Sequence, residues 1–215
     1  MIMFFQNLCG LRKPNLDGDV IEQMEWVWPV KDQGGWTIPK NEWLGHHSQK
    51  WFQHVKKFDL AVQAGGCCGM YPRILSKFFQ CVYTFEPSPL NFYALVNNCQ
   101  SNHVIKIQAV LGEHAASTQL VINETNVGMN KPTGEMGYFP VLTLDSFNLP
   151  ACDLLAFDLE ETEMAALKGS IHTIKRHSPV VIVENGDKHG INGFMHELGY
   201  RDIEQSALDV IFIKP

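Results

Sequence analysis

The amino-acid sequence predicts an α/β fold in which a mostly parallel, twisted sheet is covered by helices on both faces. From Phe58 onward, short apolar runs alternate with amphipathic helical patterns, which is typical of repeated strand–helix units. The last two apolar runs are joined by residues 205–208 alone. Because that link is too short for a helical crossover, the final strand should be antiparallel to its predecessor. A length of 215 residues with 45% hydrophobic and 19% charged residues is typical of one ordered domain.

The first 57 residues differ in composition from the rest of the chain. All five tryptophans lie there, among many Gly, Pro and Asn residues and without clear periodicity. They are Trp26, Trp28, Trp36, Trp43 and Trp51. One helix is predicted in this segment, over Asn41–Val55. We therefore expect residues 1–57 to form a small irregular cap that packs through its large rings on a main domain of residues 58–215.

Seven strands and four helices are predicted in the main domain. The strand-like runs are Asp59–Ala64, Cys81–Phe85, Val104–Ala109, Leu154–Phe157, Val180–Glu184, Tyr200–Ile203 and Val210–Ile213. The helices lie near Tyr71–Phe79, Pro89–Gln100, Thr162–His177 and Ile191–Leu198. The third helix has one apolar stripe, formed by Met164, Leu167, Ile171 and Ile174, and Pro179 ends it.

The segment Leu120–Val141 interrupts this alternation. It is rich in Asn, Gly and Pro, and it lies between two short strand-like pieces, Thr118–Asn123 and Val141–Leu144. Long excursions of this kind in small domains are often functional or disordered. Two interpretations stay open, a loop on the substrate side of a binding site and a disordered surface insertion.

The charge of the chain limits its partners. The net charge of −6 argues against non-specific binding of nucleic acid, which needs clustered Lys and Arg, although a local basic patch is compatible with it. No apolar run approaches the length that spans a bilayer, and the apolar start, Met1–Phe5, lacks the positive flank of a signal peptide. We expect no membrane association and a cytoplasmic location.

Six cysteines are scattered along the chain, without a pair or a Cys/His cluster at the spacing of zinc ligands. They are Cys9, Cys67, Cys68, Cys81, Cys99 and Cys152. We expect reduced thiols and no metal site. The adjacent pair Cys67 and Cys68 has no histidine base near it in the sequence, which favours a packing role over a redox or nucleophilic one.

A turn with three glycines follows the first predicted strand of the main domain, and a carboxylate, Glu86, follows the second. The glycines are Gly65, Gly66 and Gly69. Such a turn lets the backbone approach a ligand closely, the next helix offers free N–H groups, and a carboxylate one strand later can bind ribose hydroxyls. The pair indicates a nucleotide-like cofactor. Taken singly, the turn is equally a tight strand–helix connection and Glu86 a solvated strand-end carboxylate.

Six runs of the sequence resemble, in order and approximate spacing, those of the FkbM-type methyltransferases. The runs are VQAGGCCGMYP, VYTFEPSPLNFYALVNNC, IKIQAVLGEHA, PVLTLDSF, CDLLAFDLEETEMAALKGSIHTIKRHSPVVIVEN and HELGY. The members of this family are enzymes that depend on S-adenosylmethionine and have the Rossmann-like class I fold. The resemblance covers the chain from about residue 58 to its end. It implies the same fold and the same cofactor here.

Carried over by position, the resemblance also implies a cofactor site. The glycine turn would lie under the methionine end of the cofactor, Glu86 would accept hydrogen bonds from both ribose hydroxyls, and residues 108–110 would line the adenine. Asp158, after the fourth parallel strand, would face the methyl donor. The full implied set is Gln63, Gly65, Gly66, Gly69, Glu86, Pro87, Gln108, Ala109, Val110 and Asp158.

Methylation of a hydroxyl also requires a base, because the acceptor must lose its proton. Asp158 and Glu160 are our first choice for this catalytic role. His189 or His114 is the second, although a surface or packing role is the simpler interpretation of each histidine.

The acceptor is expected to contact acidic residues near this base and aromatic rings of the cap. The candidates are Trp28, Asp32, Trp36, Glu163 and Glu184. The rings, with Trp26, could form a flat wall for a sugar; the alternative is that they only attach the cap to the main domain.

The sequence departs from the family pattern at three positions. Gln63 stands where members usually have an acidic residue, Cys67 where they have Asn, and Glu161 where they commonly have glycine. An amide can still accept a hydrogen bond from the cofactor's ammonium group, but without the charge term, so weaker affinity is expected. Glu161 also adds a like charge beside Glu160, which would raise the pKa of a carboxyl in a partly buried cluster.

Two functions from different classes follow from these residues. The first is O-methylation of a hydroxyl on a carbohydrate or other small metabolite with S-adenosylmethionine. The second is a methyltransferase fold that has lost catalysis and serves as a binding or structural module, which the departures at Gln63 and Glu161 keep open. A nicotinamide-dependent oxidoreductase is disfavoured because the chain has no room for a separate substrate domain.

Overall fold

The structure of the protein is a computed structural model, and it describes residues 26–33, 50–184, 186, 190–206 and 209–215. The strands in these ranges are β1 (Leu60–Ala64), β2 (Cys81–Phe85), β3 (Val104–Ile107), β4 (Val110–Leu111), β5 (Ala116–Thr118), β6 (Leu120–Val121), β7 (Lys131–Pro132), β8 (Phe139–Leu142), β9 (Leu154–Phe157), β10 (Val180–Glu184), β11 (Arg201–Ser206) and β12 (Asp209–Ile213). The helices are α1 (Met70–Leu75), α2 (Pro89–Asn98), α3 (Glu163–Lys168), α4 (Ile171–His177) and α5 (Ile191–Glu197).

Seven of the strands form one sheet in the order β11-β12-β10-β9-β1-β2-β3. The pairs β3–β2, β2–β1, β1–β9 and β9–β10 are parallel. The last strand, β12, is inserted between β10 and β11 and is antiparallel to both. The mostly parallel sheet and its antiparallel last strand are therefore confirmed.

Side chains of the central strands alternate between two hydrophobic clusters, one on each face of the sheet. Val62, Leu155 and Val183 belong to the first cluster, with residues of α3, α4 and α5. Ala61 and Ile182 belong to the second, with residues of α1 and α2 and with Trp51 of the leading segment. Helices thus cover both faces, as the sequence predicts.

The helix predicted over Thr162–His177 is two helices, α3 and α4, which meet at Gly169 and Ser170. The break has a distant cause. Asp145 accepts hydrogen bonds from the backbone N–H groups of His172 and Thr173, at 2.9 and 2.8 Å, and so caps the start of α4. The backbone N–H of Asp145 donates in turn to the carbonyl oxygen of Gly169, at 3.0 Å. The apolar stripe alone did not reveal this capping residue.

The segment Leu120–Val141 is built from short paired strands. β6 pairs with β7, and β8 pairs with β5 and with β4, which continues the chain beyond β3. The strand predicted over Val104–Ala109 is consequently shorter, because the chain leaves the large sheet after Ile107 to place Val110 opposite Val141. The pairing argues against the disordered surface insertion, and the loop on the substrate side of a binding site stays a prediction.

The predicted cap lies largely outside the described residues, which include neither Trp36 and Trp43 nor positions 41–49 of its helix. Where it is described, the segment packs on the main domain. Trp28 and Trp51 are buried, and Val27 exchanges hydrogen bonds with the side chain of Asn98 on α2, at 2.7 and 2.8 Å. The division at residue 57 stays a prediction.

Candidate functional site

A cleft opens at the carboxyl ends of β1, β2 and β9, where strands of a parallel sheet commonly present a binding site. Its walls come from the glycine turn after β1, the residues after β2 and β3, the excursion between β6 and β8, and the loop after β9. Predicted site residues in its lining are Gly65, Gly66, Glu86, Pro87, Ala109, Val110, Asp158 and Glu160. The cleft therefore brings together seven of the ten residues predicted to bind the cofactor, and Glu160 with them.

Glu86 is almost completely buried, with 4% of its surface exposed. One carboxylate oxygen accepts a hydrogen bond from the backbone N–H of Cys67 and the other from that of Ser88, each at 2.8 Å. Burial raises the pKa of Glu86 to about 7, although these backbone hydrogen bonds oppose the shift. The carboxylate thus fastens the glycine turn to the end of β2 and forms part of the cleft lining, and its two oxygens have further lone pairs that can accept hydrogen bonds.

The glycine turn closes tightly on the end of β9. Gly65 has a φ of +86°, and a Cβ atom on it would lie 1.8 Å from the backbone oxygen of Asp158. The N–H groups of Gly65 and Gly66 both donate to the carbonyl oxygen of Phe85, at 3.1 and 2.8 Å. The turn consequently brings the cleft's two sides together, and these two N–H groups are already bonded within the protein.

Replacing Gly65 with alanine should destabilise the protein far more than the same change at Gly134. Both glycines have a positive φ, +86° and +80°, which costs an L-residue about 1–2 kcal/mol. Only Gly65 adds a backbone clash, so we expect a loss of more than about 3 kcal/mol there. Urea unfolding of both variants measures the difference. Equal losses would mean that the ends of β1 and β9 do not meet as described.

Gln63 does not line the cleft. Its side chain is 1% exposed; its Oε1 accepts a hydrogen bond from the hydroxyl of Thr84 at 2.8 Å, and its Nε2 donates to the carbonyl oxygen of Gly65 at 2.9 Å. The predicted contact of its amide oxygen with a cofactor is not available in this arrangement. Gln63 instead supports the glycine turn through its hydrogen bond to Gly65.

Asn91 and Tyr71 are among the lining residues that the sequence did not single out. Asn91 on α2 is 1% exposed; its Nδ2 donates to the carbonyl oxygen of Val127 at 2.9 Å, whereas its Oδ1 accepts no hydrogen bond from any described residue. Tyr71 on α1 lines the cleft on the side of Asp158, and burial raises the pKa of its hydroxyl above the usual range. Asn91 lies two residues after Pro89, and Tyr71 two residues after Gly69. Neither position belongs to a sequence pattern that predicts a binding residue.

Three carboxylates meet beyond the end of β9. Oxygen atoms of Asp158, Glu160 and Glu184 all lie within 4.8 Å of one another. Burial and the neighbouring Glu184 raise the pKa of Asp158 well above its usual value, and the two side chains share a hydrogen bond. The pKa of Glu160 is raised for the same two reasons. Such a group can hold a shared proton, and its oxygens also match the ligands that hard divalent cations prefer, whereas the sequence predicted no metal site.

Several predicted residues lie elsewhere. Gln108 is exposed outside the cleft, and His114 is exposed beside Glu113. Trp28 and Asp32 form a buried pair behind the cleft, joined by a hydrogen bond of 2.9 Å, and Asp32 also accepts one from the backbone N–H of Val127. Their predicted contact with an acceptor is therefore not supported, because both side chains are engaged within the protein. Trp36 and His189 lie outside the part of the chain that is described.

The model of the protein family described as Methyltransferase FkbM domain matches this sequence over residues 79–201, which is more than half of the chain. The chain belongs to the FkbM methyltransferase family. The predicted family and cofactor class are confirmed, since this is a family of S-adenosylmethionine-dependent methyltransferases. No curated protein matches the sequence significantly. Among the described residues of this FkbM protein, no helix is long and apolar enough to cross a bilayer.

Solved structures with a similar fold include the methyltransferase FkbM from Methylobacillus flagellatus, with a TM-score of 0.50 and 18% identity. The match covers 72% of this chain and 42% of that one, so the chain spans less than half the length of that relative. A protein of Streptococcus mutans assigned as a methyltransferase, solved with S-adenosylhomocysteine, has a TM-score of 0.49 and 14% identity; the match covers 79% of this chain and 97% of that one.

Two of the three departures from the FkbM pattern fall on residues with a positive φ. Cys67, where members have Asn, has a φ of 43°, and Glu161, where members commonly have glycine, has a φ of 79°. Asn and glycine are the residues that tolerate this region best. Glu163, which is 3% exposed, holds the loop by accepting hydrogen bonds from the N–H groups of Leu159 and Glu161, at 2.9 and 3.3 Å. Its predicted contact with an acceptor gives way to this supporting role.

The variant Glu161→Gly should have a higher free energy of unfolding than Glu161→Ala. Either substitution removes the ion pair of 2.7 Å between Glu161 and Lys131, which is largely exposed and contributes little. Only glycine also relieves the positive φ, so we expect it to exceed alanine by about 1 kcal/mol in free energy of unfolding. Urea unfolding of both variants tests this, with Lys131→Ala as the control for the ion pair. Equal stabilities would show that the loop carries no strain at this residue.

Proposed function

We propose that this protein transfers a methyl group from S-adenosylmethionine to a hydroxyl of a carbohydrate or other small metabolite. The observation that carries the proposal is the position of Glu86 and Asn91 on one side of the cleft and of the Asp158 carboxyl on the other. The first side offers hydrogen-bond acceptors for a nucleoside, and the second offers a base for an acceptor hydroxyl. The excursion and the loop after β9 enclose the space between them.

The residues of the cleft fit this cofactor. Asn91 Oδ1 is buried and accepts no hydrogen bond from the described residues, which is costly unless a ligand supplies a donor. Glu86 has spare lone pairs beside it, and a ribose carries two adjacent hydroxyl donors. Ala109, Val110 and Leu111 give the apolar surface that a purine ring requires.

Catalysis by this chain would consist of positioning and proton removal. S-adenosylmethionine supplies an electrophilic methyl group, which is displaced in line with the attacking oxygen. Burial and the neighbouring carboxyl of Glu184, with which Asp158 shares a hydrogen bond, raise the pKa of Asp158. A raised pKa makes the ionised carboxyl a stronger base for the proton of an acceptor hydroxyl, and Glu160 beside it adds to this basicity.

Calorimetry with S-adenosylhomocysteine is the first test of this proposal. We expect a single site, and wild-type protein that is folded yet binds none would favour a module without catalysis. The departure at Gln63 supports that second function, because its amide is turned away from the cleft. The second test is transfer of labelled methyl groups to a panel of hydroxylated sugars and small metabolites. Binding of the cofactor without transfer to any acceptor would also favour the module.

Binding of S-adenosylhomocysteine should tighten as the pH rises to about 7. In the ligand-free protein, burial keeps Glu86 protonated below a pKa of about 7. Two hydroxyl donors favour the ionised carboxylate, so binding below that pH releases a proton and affinity rises by up to about tenfold per pH unit before it levels off. Calorimetry in buffers of different ionisation enthalpy counts the released proton. An affinity that is constant between about pH 5.5 and 8 would contradict this role of Glu86.

A further inference from the structure

A second cavity lies at the amino ends of the parallel strands β1, β9 and β10, on the side of the large sheet opposite to the methyltransferase cleft. It is lined by the residues that precede these three strands, by the start of β11 and by the residues that follow β12. Its volume is about 770 Å³, within the range of pockets that bind small molecules. The methyltransferase cleft does not include any of its lining residues.

Cationic side chains are concentrated in this cavity. Five line it: Lys56, Lys57, Arg176, Arg201 and Lys214. The whole chain has 17 Lys and Arg residues against 23 Asp and Glu, and its net charge is −6. Five cations from four separate segments therefore converge on one concave surface of an acidic protein. A positive cavity inside an overall negative field attracts and selects small anions.

None of these five cations forms an ion pair among the described residues. Two side-chain carboxylates also line the cavity and offset part of its positive charge, but both are held by hydrogen bonds within the protein. Asp153 accepts hydrogen bonds from the backbone N–H groups of Asp59 and Leu60, at 2.9 and 3.0 Å, and Asp59 accepts one from the side chain of Gln80, at 3.1 Å. Arg176 is oriented by a hydrogen bond of 2.8 Å from Nη1 to Asn148, and its other N–H groups can serve a ligand.

The dipole of a helix explains only part of this charge. Arg176 lies in the last turn of α4, where a cation stabilises the helix end. Arg201 begins a strand and Lys214 follows one, so neither has a helix end to stabilise. The ammonium group of Lys214 also lies 5.8 Å from the ring centre of Tyr200, a cation–π contact that accounts for part of its placement. The presence of Arg201 beside Lys56 and Lys57 needs another explanation.

We propose that this cavity binds a small anion with several negative charges, of the oligophosphate class. Five convergent cations in a concave site match such a ligand in charge and in size. A nucleic-acid strand fits less well, since none of the described lining residues is Phe, Tyr or Trp and bases would lack a stacking surface. An anionic membrane fits less well because a concave site does not follow a flat surface.

The test is calorimetric titration of the full chain with inorganic tripolyphosphate at low ionic strength. We expect one site in wild-type protein and affinity at least about tenfold weaker in the double variant Lys57→Gln, Arg201→Gln. The matched control is Lys77→Gln, Lys175→Gln, which removes the same charge from exposed positions outside the cavity and should change the affinity less than about twofold. Unchanged binding of S-adenosylhomocysteine in both variants confirms that they are folded.

Three results would overturn the assignment. The first is wild-type protein that does not bind tripolyphosphate, and the second is an equal loss in the two double variants, which would indicate only the overall charge. The third is tighter binding, through Lys57 and Arg201, of a short RNA strand or of phosphatidylserine vesicles than of tripolyphosphate. That result would assign the surface to a macromolecule or a membrane instead. None of these outcomes depends on methyl transfer.

Discussion

Glu86→Ala should abolish measurable binding of S-adenosylhomocysteine. In the proposed site the buried carboxylate of Glu86 accepts hydrogen bonds from both ribose hydroxyls, and each charge-assisted bond contributes about 1.5–3 kcal/mol. Removing both weakens the complex by at least about 100-fold. Calorimetry on the variant and on wild-type protein, at a pH above 7 where Glu86 is ionised, measures the loss.

This substitution has a structural side effect that needs its own control. Glu86 also accepts hydrogen bonds from Cys67 and Ser88, so alanine leaves two backbone N–H groups without their acceptor and should lower stability. Urea unfolding must therefore show that the variant is folded under the conditions of the titration. Glu135→Ala, which removes an exposed carboxylate outside the cleft, is the matched control and should bind normally. A folded Glu86 variant whose affinity stays within about threefold of wild type would mean that the cofactor lies elsewhere.

Asp158→Asn should lower kcat while leaving the affinity for S-adenosylhomocysteine nearly unchanged. An amide has the shape of the carboxyl group but cannot accept a proton, and loss of a general base typically costs about 100- to 10,000-fold in rate. The measurement is transfer of labelled methyl groups to the acceptor that the panel identifies, with kcat and KM determined separately. A fall in kcat with little change in KM is the expected signature.

Glu161→Gln is the matched control for Asp158→Asn. It changes a carboxylate of the same loop that faces Lys131 and not the cleft, so kcat should stay within about threefold of wild type. If Asp158→Asn had an equally small effect, the base would have to be sought among other groups, Glu184 first. If it instead abolished binding of S-adenosylhomocysteine, Asp158 would be a cofactor ligand and not the base.

The sequence predicted the sheet well because the signals for strands are local patterns of apolar and turn residues. β2, β9 and β10 have the predicted bounds, since each is a short apolar run between turn residues, and the short link before β12 required an antiparallel strand. The break between α3 and α4 was missed because Asp145, which caps α4, lies 27 residues earlier in the chain than His172. No pattern within the helix itself carries that information.

The candidate site was predicted only where a residue follows a strand. Glu86 and Asp158 follow β2 and β9, so the topology sets their positions at the carboxyl ends of the strands. The topology does not set the directions of side chains. The side chain of Gln63 points away from the cleft because Thr84 on the neighbouring strand offers it a hydroxyl, and Asn91 reaches the cleft only through the placement of α2. Such contacts depend on the packed structure and leave no trace in spacing.

The hydrogen bonds of Asp32 limit where the chain can be truncated. It joins Trp28 to the backbone of Val127, a residue of the cleft wall, and Gln33 adds a hydrogen bond of 2.9 Å to Thr125. The change in composition near residue 57 is therefore a poor guide for truncation. A fragment that begins at residue 58 would lose the support behind one wall of its own binding cleft. We infer that residues 26–33 belong to the folding unit and should be kept in any shortened version of the protein.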